Sequence, residues 1–369
     1  MHKVSIRPVW TIGDGTGRTL SPRLLDLLVQ IHRTGSLAGA CRSTKASYRH
    51  AWSLIAQGEA QLGAPLLARE RGRGSTLTEL GEKLVWAGHR IGARLTPTLE
   101  TLASELEVEI SRVLTRAGAT LRVHASHGFA IELLLAQLAG EITVERKYVA
   151  SLEAVASLHD GACDLAGFHI PDGEYGPRAL ANHLRWIDRL EHRVIHVATR
   201  RQGLMVAAGN PLGLTGVADL RRRGLRFVNR QHGSGTRFLL DCLLASAGVD
   251  ATLINGYELG EYTHAAVAAY VASGMADAGF GVETPAKRFG LAFLPLATER
   301  YFLLCRASAL ASAPLQAVLE RLRSASFRAE VDRLPGYAAT DCGRVDTLAD
   351  AFAGSMPAAA RSSPILPPP

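Results

Sequence analysis

The first regular pattern along the chain begins at Pro22. Leu24, Leu25, Leu27, Leu28 and Ile31 fall on one face at helical spacing, with Pro22 suited to a first turn and Gly35 to the stop. Ser36 is placed to cap a second short helix, LAGACR, whose small residues allow close packing. A turn over residues 43–46 leads to a third helix, YRHAWSLIAQGEAQLG, capped by Ser47, with Ala51, Leu54 and Ile55 inward. Two helices joined by a tight turn behind a supporting helix make the helix-turn-helix layout. PLLARERGRGSTLT then reads as two short strands around an Arg/Gly-rich tip, a wing. Thr78 caps the next helix, Glu79 lies at the positive end of its dipole, and the helical pattern runs on to about Arg116.

A different regime begins at Thr120. LRVHA reads as a strand, and SHGFAIELLLAQLA turns directly into a helix. ITVERKYVA is a strand, SLEAVASLHDG a helix and CDLAGFHI a buried strand. VIHVATR and QGLMVAAG read as two further strands, and LRFVNRQ runs through a turn into the helix HGSGTRFLLDCLLASAG. HAAVAAYVASG is a helix, ADAGFGV a strand, LAFLPLATERYFLLC one long or two short strands, and APLQAVLERLRSASFRAEVDRL a final helix. Alternating strands and helices over some 230 residues predict an α/β fold. The Pro/Ser/Ala-rich end, residues 351–369, is expected to be disordered.

Composition sharpens this. Residues 1–95 carry 14 Lys/Arg against 6 Asp/Glu, and residues 96–369 carry 27 against 28. The whole basic excess of a chain with net charge +7 therefore sits in its first quarter, the footprint of a nucleic-acid-binding module joined to a near-neutral one. No apolar run reaches the roughly 18 residues needed to cross a bilayer. The opening MHKVSIRPVWTIGDG is polar and broken by Pro and Gly, unlike a secretory signal, so no membrane partner and a cytoplasmic location are expected. Five scattered cysteines form no CxxC pair and no Cys/His cluster of zinc spacing, so neither a metal nor a cofactor is expected.

GSLAGACRSTKASYRHAW and TLTELGEKLV resemble the winged helix-turn-helix of the LysR and ModE regulators, over about residues 22–85, with SYRHAW closer to ModE. VNRQHGSGTR, YTHAAVAAYVASGMADAGFG and ERYFLLC resemble the type II periplasmic-binding-protein fold that serves LysR regulators as effector domain, in its molybdate/tungstate-type branch. The resemblance implies an all-α winged-helix domain over residues 1–95 and a linker, dimerisation helix over 96–118. It implies an α/β effector domain of two lobes over 119–350. Lobe one would take about 119–198 and 300–350, lobe two 199–299, and the chain would cross between them near 194–206 and 294–305. A ligand-responsive transcription regulator is then expected, a homodimer or homotetramer bound to double-stranded DNA. The rival reading is a cytoplasmic oxyanion-binding or storage protein without specific DNA binding.

In a helix-turn-helix the N-terminal end of the recognition helix enters the major groove. That makes Ser47, Tyr48, Arg49, His50 and Ser53 the base-reading candidates, with Arg49 suited to a bidentate guanine contact. Arg42 and Lys45 in the turn suit phosphates, and Arg69, Arg71 and Arg73 line the wing. In the second module the sharpest string is Gly233-Ser234-Gly235-Thr236-Arg237. Small residues between strand and helix let backbone N–H groups converge on an anion, helped by the helix dipole. Ser126, His127 and Gly128 end the first strand, Tyr262, Thr263 and His264 open another helix, and His169 ends a core strand. These predict a pocket of mostly neutral donors for a small anion: molybdate, tungstate, sulfate, formate or another small carboxylate. No GxSxG, HExxH, Walker A or correctly placed GxGxxG string is present, and no enzymatic activity is expected.

Overall fold

The computed structural model describes residues 3–13, 15, 17–70, 74–114 and 120–353. The chain divides into two compact units, one of residues 7–95 and one of residues 96 onward together with the N-terminal segment to Ile6.

The first unit is built from α1 (Pro22–Thr34), α2 (Leu37–Thr44) and α3 (Tyr48–Leu62). Gly35 stops α1 in the left-handed conformation at φ 74°, and the Ser36 hydroxyl accepts from the Gly39 N–H at 3.0 Å to start α2. The inward stripe of α1 packs with Leu37, Ala40, Ile55, Leu66 and Val85 into one buried core. Strands β1 (Leu67–Glu70) and β2 (Gly74–Leu77) pair antiparallel, Leu67 opposite Leu77, and form the wing. Its tip, with Arg71 and Arg73, lies outside the described residues. Thr78 caps the long helix α4 (Glu79–Leu114), accepting from the Gly81 N–H at 3.3 Å.

In the second unit the chain runs β3 (Thr120–Ala125), α5 (Phe129–Leu138), β4 (Thr143–Tyr148), α6 (Ser151–His159), β5 (Leu165–Pro171), α7 (Gly176–Leu184) and β6 (His192–Val206). It continues through β7 (Phe227–Arg230), α8 (Gly235–Ser246), β8 (Gly260–Glu261), α9 (His264–Ala272), β9 (Ala278–Val282), α10 (Glu283–Arg288) and β10 (Ala292–Arg306). Helices α11 (Ala313–Arg323) and α12 (Ala325–Asp332), strands β11 (Tyr337–Ala338) and β12 (Val345–Asp346), and helix α13 (Leu348–Ala351) close the described chain.

The main path of the sheet is β4-β3-β5-β10-β6-β9-β7-β8. Strand β3 runs parallel to β4 and β5, and β7 parallel to β9, while β6 and β10 pair antiparallel along their length. One half of the β6/β10 ribbon joins β5 and the other joins β9, so the same two strands belong to both lobes. Phe168, Phe302 and Val194 lie in the core of lobe one, and Phe227, Leu240 and Phe280 in that of lobe two.

Three expectations are corrected, the first at the end of the chain: the expected disorder does not begin at residue 351, because Ala351 ends α13 and Phe352 packs into the core of lobe one, while residues 354–369 lie outside the described residues. The segments read as two strands, 194–200 and 202–209, are one 15-residue strand, β6, which ends at Val206. The last helix is two, because Ser324 takes extended angles (φ −66°, ψ 140°) and its hydroxyl accepts from the Phe327 N–H, starting α12 afresh. Helix α7 was not anticipated at all, being nine residues long with polar positions among its apolar ones.

The linker part of α4 covers the open edge of the sheet. The Ser104 hydroxyl donates to the Val144 carbonyl (3.1 Å) and accepts from the Arg146 N–H (2.9 Å), while Thr101 Oγ1 accepts from the Tyr148 N–H (3.2 Å). These side chains satisfy backbone groups that an edge strand would otherwise present to other chains.

Leu28 is fully buried at the centre of the first unit. Leu28→Ala should lower the stability of that unit by about 2–5 kcal/mol, the range for removing a buried leucine side chain. Chemical denaturation followed by Trp52 fluorescence measures it, and a loss below about 1 kcal/mol would contradict the packing described.

Candidate functional sites

In the first unit every residue from Arg42 to His50 is exposed, and so is Ser53. The turn between α2 and α3 forms because Lys45 takes the left-handed conformation (φ 55°) and its N–H closes on the Cys41 carbonyl. Ser47 occupies the cap position of α3, but its side chain makes no cap bond, contrary to expectation. Tyr48 stands exposed beside the half-buried Trp52, their rings edge to face at 6.3 Å. Arg42, Lys45, Ser47, Tyr48, Arg49 and His50 thus form one continuous solvent-facing segment. Arg69 lies in β1 of the wing.

The second candidate site lies in the other unit, where the carboxyl ends of β3, β5 and β7 meet the β6/β10 ribbon. Ligand sites in open α/β sheets sit outside strand carboxyl ends. The candidate residues there have different fates. Gly128 starts α5, and a Cβ on it would stand 3.0 Å from Nη1 of Arg200. Gly235 starts α8, and a Cβ there would come within 2.3 Å of the His169 ring, so only glycine lets lobe two approach β5 this closely. The Ser234 hydroxyl accepts from the Arg237 N–H at 3.1 Å, and the Thr263 hydroxyl from the Ala266 N–H at 2.9 Å. Thr236 Oγ1 accepts from Gln202. Ser126 Oγ is buried and has no hydrogen-bond partner. His127 pairs with Glu132 and packs edge-on against Tyr148 at 4.9 Å. His264 is buried, its Nδ1 accepting from the Val282 N–H at 3.3 Å. Gly233 takes φ +75° in the turn before α8. Tyr262 is exposed and lends only its carbonyl, to Arg230. Arg237 does not bridge the lobes: its Nη2 pairs with Glu258 at 3.0 Å, within lobe two.

At the centre stands a charged cluster that the expected pocket of neutral donors did not contain. Arg200 on β6 and Glu299 on β10 are fully buried, register partners, and joined Nε to Oε1 at 2.5 Å. Gln202 Nε2 donates to the same carboxylate oxygen (2.7 Å) and to Thr236 Oγ1 (3.1 Å). His169 Nδ1 lies 3.5 Å from the other oxygen. The Arg200 guanidinium lies over the Tyr301 ring, whose hydroxyl donates to the Ser126 carbonyl at 3.0 Å. Burial opposes the charge on Glu299, yet Arg200 and His169 hold its carboxyl below the usual range. Burial pushes the His169 pKa down to about 4, with Arg200 adding to the effect and Glu299 opposing it. Burial likewise keeps His264 neutral, reinforced by Arg230 and Arg200.

Beside this cluster, between α6, α7 and α8, opens a cavity of about 530 Å³. His169, Gly233, Ser234, Gly235 and Arg237 line it, together with Ser151 and His183, which sequence reasoning missed. Ser151 had a legible signal, a Ser opening a helix directly after a strand; His183 sits on the unanticipated α7. Among the described residues no group of His, Cys, Asp and Glu is arranged to hold a metal ion. No described helix is long and apolar enough to cross a membrane.

Residues 133–323 match the PBP superfamily domain, and residues 22–82 the bacterial regulatory helix-turn-helix protein, lysR family. The chain belongs to the PBP superfamily, and ahead of that domain it carries a helix-turn-helix that matches the lysR-family model. Among its relatives, the uncharacterised YvgK of Bacillus subtilis is 35% identical over 200 residues, 54% of this chain and 64% of its own length. The molybdenum-pterin-binding protein MopB of Rhodobacter capsulatus is 31% identical over 124 residues, 32% of this chain and 45% of its own. The chain thus spans less than two thirds of either relative. An OxyR structure from Corynebacterium glutamicum with bound hydrogen peroxide aligns over 81% of this chain and 91% of its own, at 16% identity and a TM-score of 0.41.

Two measurements probe the charged cluster. Glu299→Ala leaves Arg200 buried without its carboxylate and should cost about 3–5 kcal/mol, most of it recovered in the double variant Arg200→Met, Glu299→Leu. Equal stability of Glu299→Ala and the wild type in urea denaturation would exclude this role. His169 titrates near 6.5 when unfolded and about 4 when folded. The unfolded chain therefore binds the extra proton first, and stability falls as pH drops through that window. Melting temperatures between pH 7 and 4.5 should fall less steeply in His169→Gln than in the wild type; parallel slopes would refute the assignment.

Proposed function

We propose that the chain is a cytoplasmic, ligand-responsive transcription regulator that binds double-stranded DNA through its first unit and a small anion between the lobes of its second. The observation that carries the DNA half is the unbroken exposed segment from Arg42 to His50 at the start of α3, within the basic quarter of the chain. Arg49, Tyr48, His50, Ser47 and Ser53 read base edges, while Arg42 and Lys45 hold phosphates, joined by Arg69, Arg71 and Arg73 of the wing.

The effector half rests on the residues gathered where the lobes meet. Gly128 faces Arg200 from lobe one, next to Ser126 and His127, and from lobe two Gly235 meets His169, with Gly233, Ser234 and Arg237 lining the same cavity and Thr236 tied to Gln202. Tyr262, Thr263 and His264 open α9; Tyr262 is exposed, while Thr263 and His264 are buried, His264 within electrostatic reach of Arg200 and His169. The anion is a molybdate- or tungstate-type oxyanion, or formate or another small carboxylate; the name of the relative MopB supports the former. Binding between the lobes favours one arrangement of them in proportion to its differential affinity. Helix α4 carries exposed Leu102, Leu106, Ile110 and Val113 at three- and four-residue spacing, which supports assembly as a homodimer or homotetramer.

Gel-shift titration on the DNA upstream of the protein's own coding sequence tests this reading. Arg49→Ala should weaken specific binding about tenfold or more, the worth of a bidentate base contact. Lys45→Ala should weaken binding to all sequences alike and reduce the salt slope by about one. Thr236→Ala and Ser126→Ala should remove any anion effect and leave basal binding intact. Absence of a specific shift at every modest salt concentration would sink the proposal.

A further inference from the structure

Helix α3 stays open to solvent well past its first turn. Beyond Arg49 and Ser53, the residues Ala56, Gln57 and Ala60 are exposed as well. Arg49, Ser53 and Gln57 are spaced four apart, so they form one row along the helix. Ala56 and Ala60 flank that row with methyl groups only, which lets the helix backbone approach a partner closely. The opposite face is closed. Ala51, Ile55 and Gly58 are buried, and a Cβ on Gly58 would stand 2.3 Å from the Leu24 side chain.

Charge divides the helix in the same way. Glu59 is the only acidic residue in the sequence of α3, and its carboxylate is turned to the wing. There Oε1 accepts from the N–H groups of Leu66 (2.8 Å) and Leu67 (3.2 Å). The exposed row therefore carries a cation, a hydroxyl and an amide but no negative charge, and nothing along it repels a phosphate backbone.

Gln57 is the amide of that row. Its Nε2 donates to Ser53 Oγ at 3.3 Å. This bond holds the side chain along the helix and sets which end of the amide is the nitrogen. The second Nε2 hydrogen and Oε1 are left for a partner. A donor beside an acceptor matches the major-groove edge of adenine, where N7 accepts and the N6 amino group donates. Guanine offers two acceptors there, and cytosine offers a donor.

We propose that Gln57 reads a base and selects adenine in the major groove, with Ser53 as the residue that positions its amide. Arg49 and Gln57 are eight residues apart, about 12 Å along the helix axis. At about 3.4 Å per base pair, the adenine falls roughly three or four pairs from the guanine read by Arg49. The hydroxyl hydrogen of Ser53 stays available for a base edge or a phosphate. This inference rests on the reading of the first unit as a DNA-binding module.

The test uses the full-length protein and a duplex library whose randomised core spans roughly two helical turns. Selected sites and their single-base variants are then titrated by fluorescence anisotropy. The wild type should prefer adenine about tenfold at one position per half-site, at the stated distance from a preferred guanine. Gln57→Ala should lose the adenine preference and keep the guanine. Gln57→Glu should move the preference to cytosine, whose amino group donates to a carboxylate. Ser53→Ala should reduce the adenine preference and add nothing in the double variant Ser53→Ala, Gln57→Ala. Both positions are exposed, so none of these changes disturbs the core. An unchanged selected sequence in Gln57→Ala, or retained adenine in Gln57→Glu, would overturn the inference and leave sequence-specific DNA binding standing. A wild-type site without adenine at that distance would overturn it too. No selected sequence with the wild type would remove the DNA-reading function and this inference together.

Discussion

The second unit depends on one buried ion pair, Arg200 with Glu299. Both side chains sit where β6 and β10 pass from one lobe into the other, and both are fully out of water. Removing two charges from solvent costs several kcal/mol per ion, and their mutual attraction offsets this only with good geometry and additional hydrogen bonds. Gln202 supplies one such bond, donating to Glu299 Oε1 and also to Thr236 of lobe two, while His169 of lobe one stands 3.5 Å from Oε2 and the Tyr301 ring packs on Arg200; Glu299 Oε2 and Arg200 Nη1 have no hydrogen-bond partner. A hydrophobic pair of similar volume would stabilise the crossing at least as well. What it would not do is couple residues of both lobes to a single carboxylate. The cluster is thus better read as setting the relation between the lobes than as a source of stability.

Much of the architecture was legible along the chain because it rests on local physics. The apolar stripe of α1, the Gly35 stop, and the caps at Ser36, Thr78, Ser234 and Thr263 all act within a few residues. The less legible features depend on distant partners. Arg200 is polar in the middle of a buried strand, and such a residue reads as the end of one strand and the start of another. Only Glu299, 99 positions later, makes it tolerable. Ser324 breaks a helical periodicity that continues on both sides of it, so the pattern hides the interruption.

The candidate sites divide in the same way. Residues offered because they open a helix with a small or hydroxylated side chain do stand at helix starts, since capping chemistry is local. Whether their hydroxyls are available is a tertiary question. Ser234 and Thr263 spend their acceptor capacity on their own helices, while Ser126 and Ser151 do not. Periodicity and spacing carry no information about that difference, nor about the unsatisfied nitrogen of His183, which rests on an unanticipated helix.

The contact of Ser104 and Thr101 with β4 bears on where the effector module begins. A boundary drawn at the first strand, near residue 119, would strip the cover from the sheet edge. The N–H groups of Arg146 and Tyr148 and the carbonyl of Val144 would lose their partners. Such a fragment would keep its core intact and still invite strand-to-strand aggregation. The autonomous module therefore starts within α4, and the helix that leads out of the wing is as much the last layer of the sheet as it is a linker.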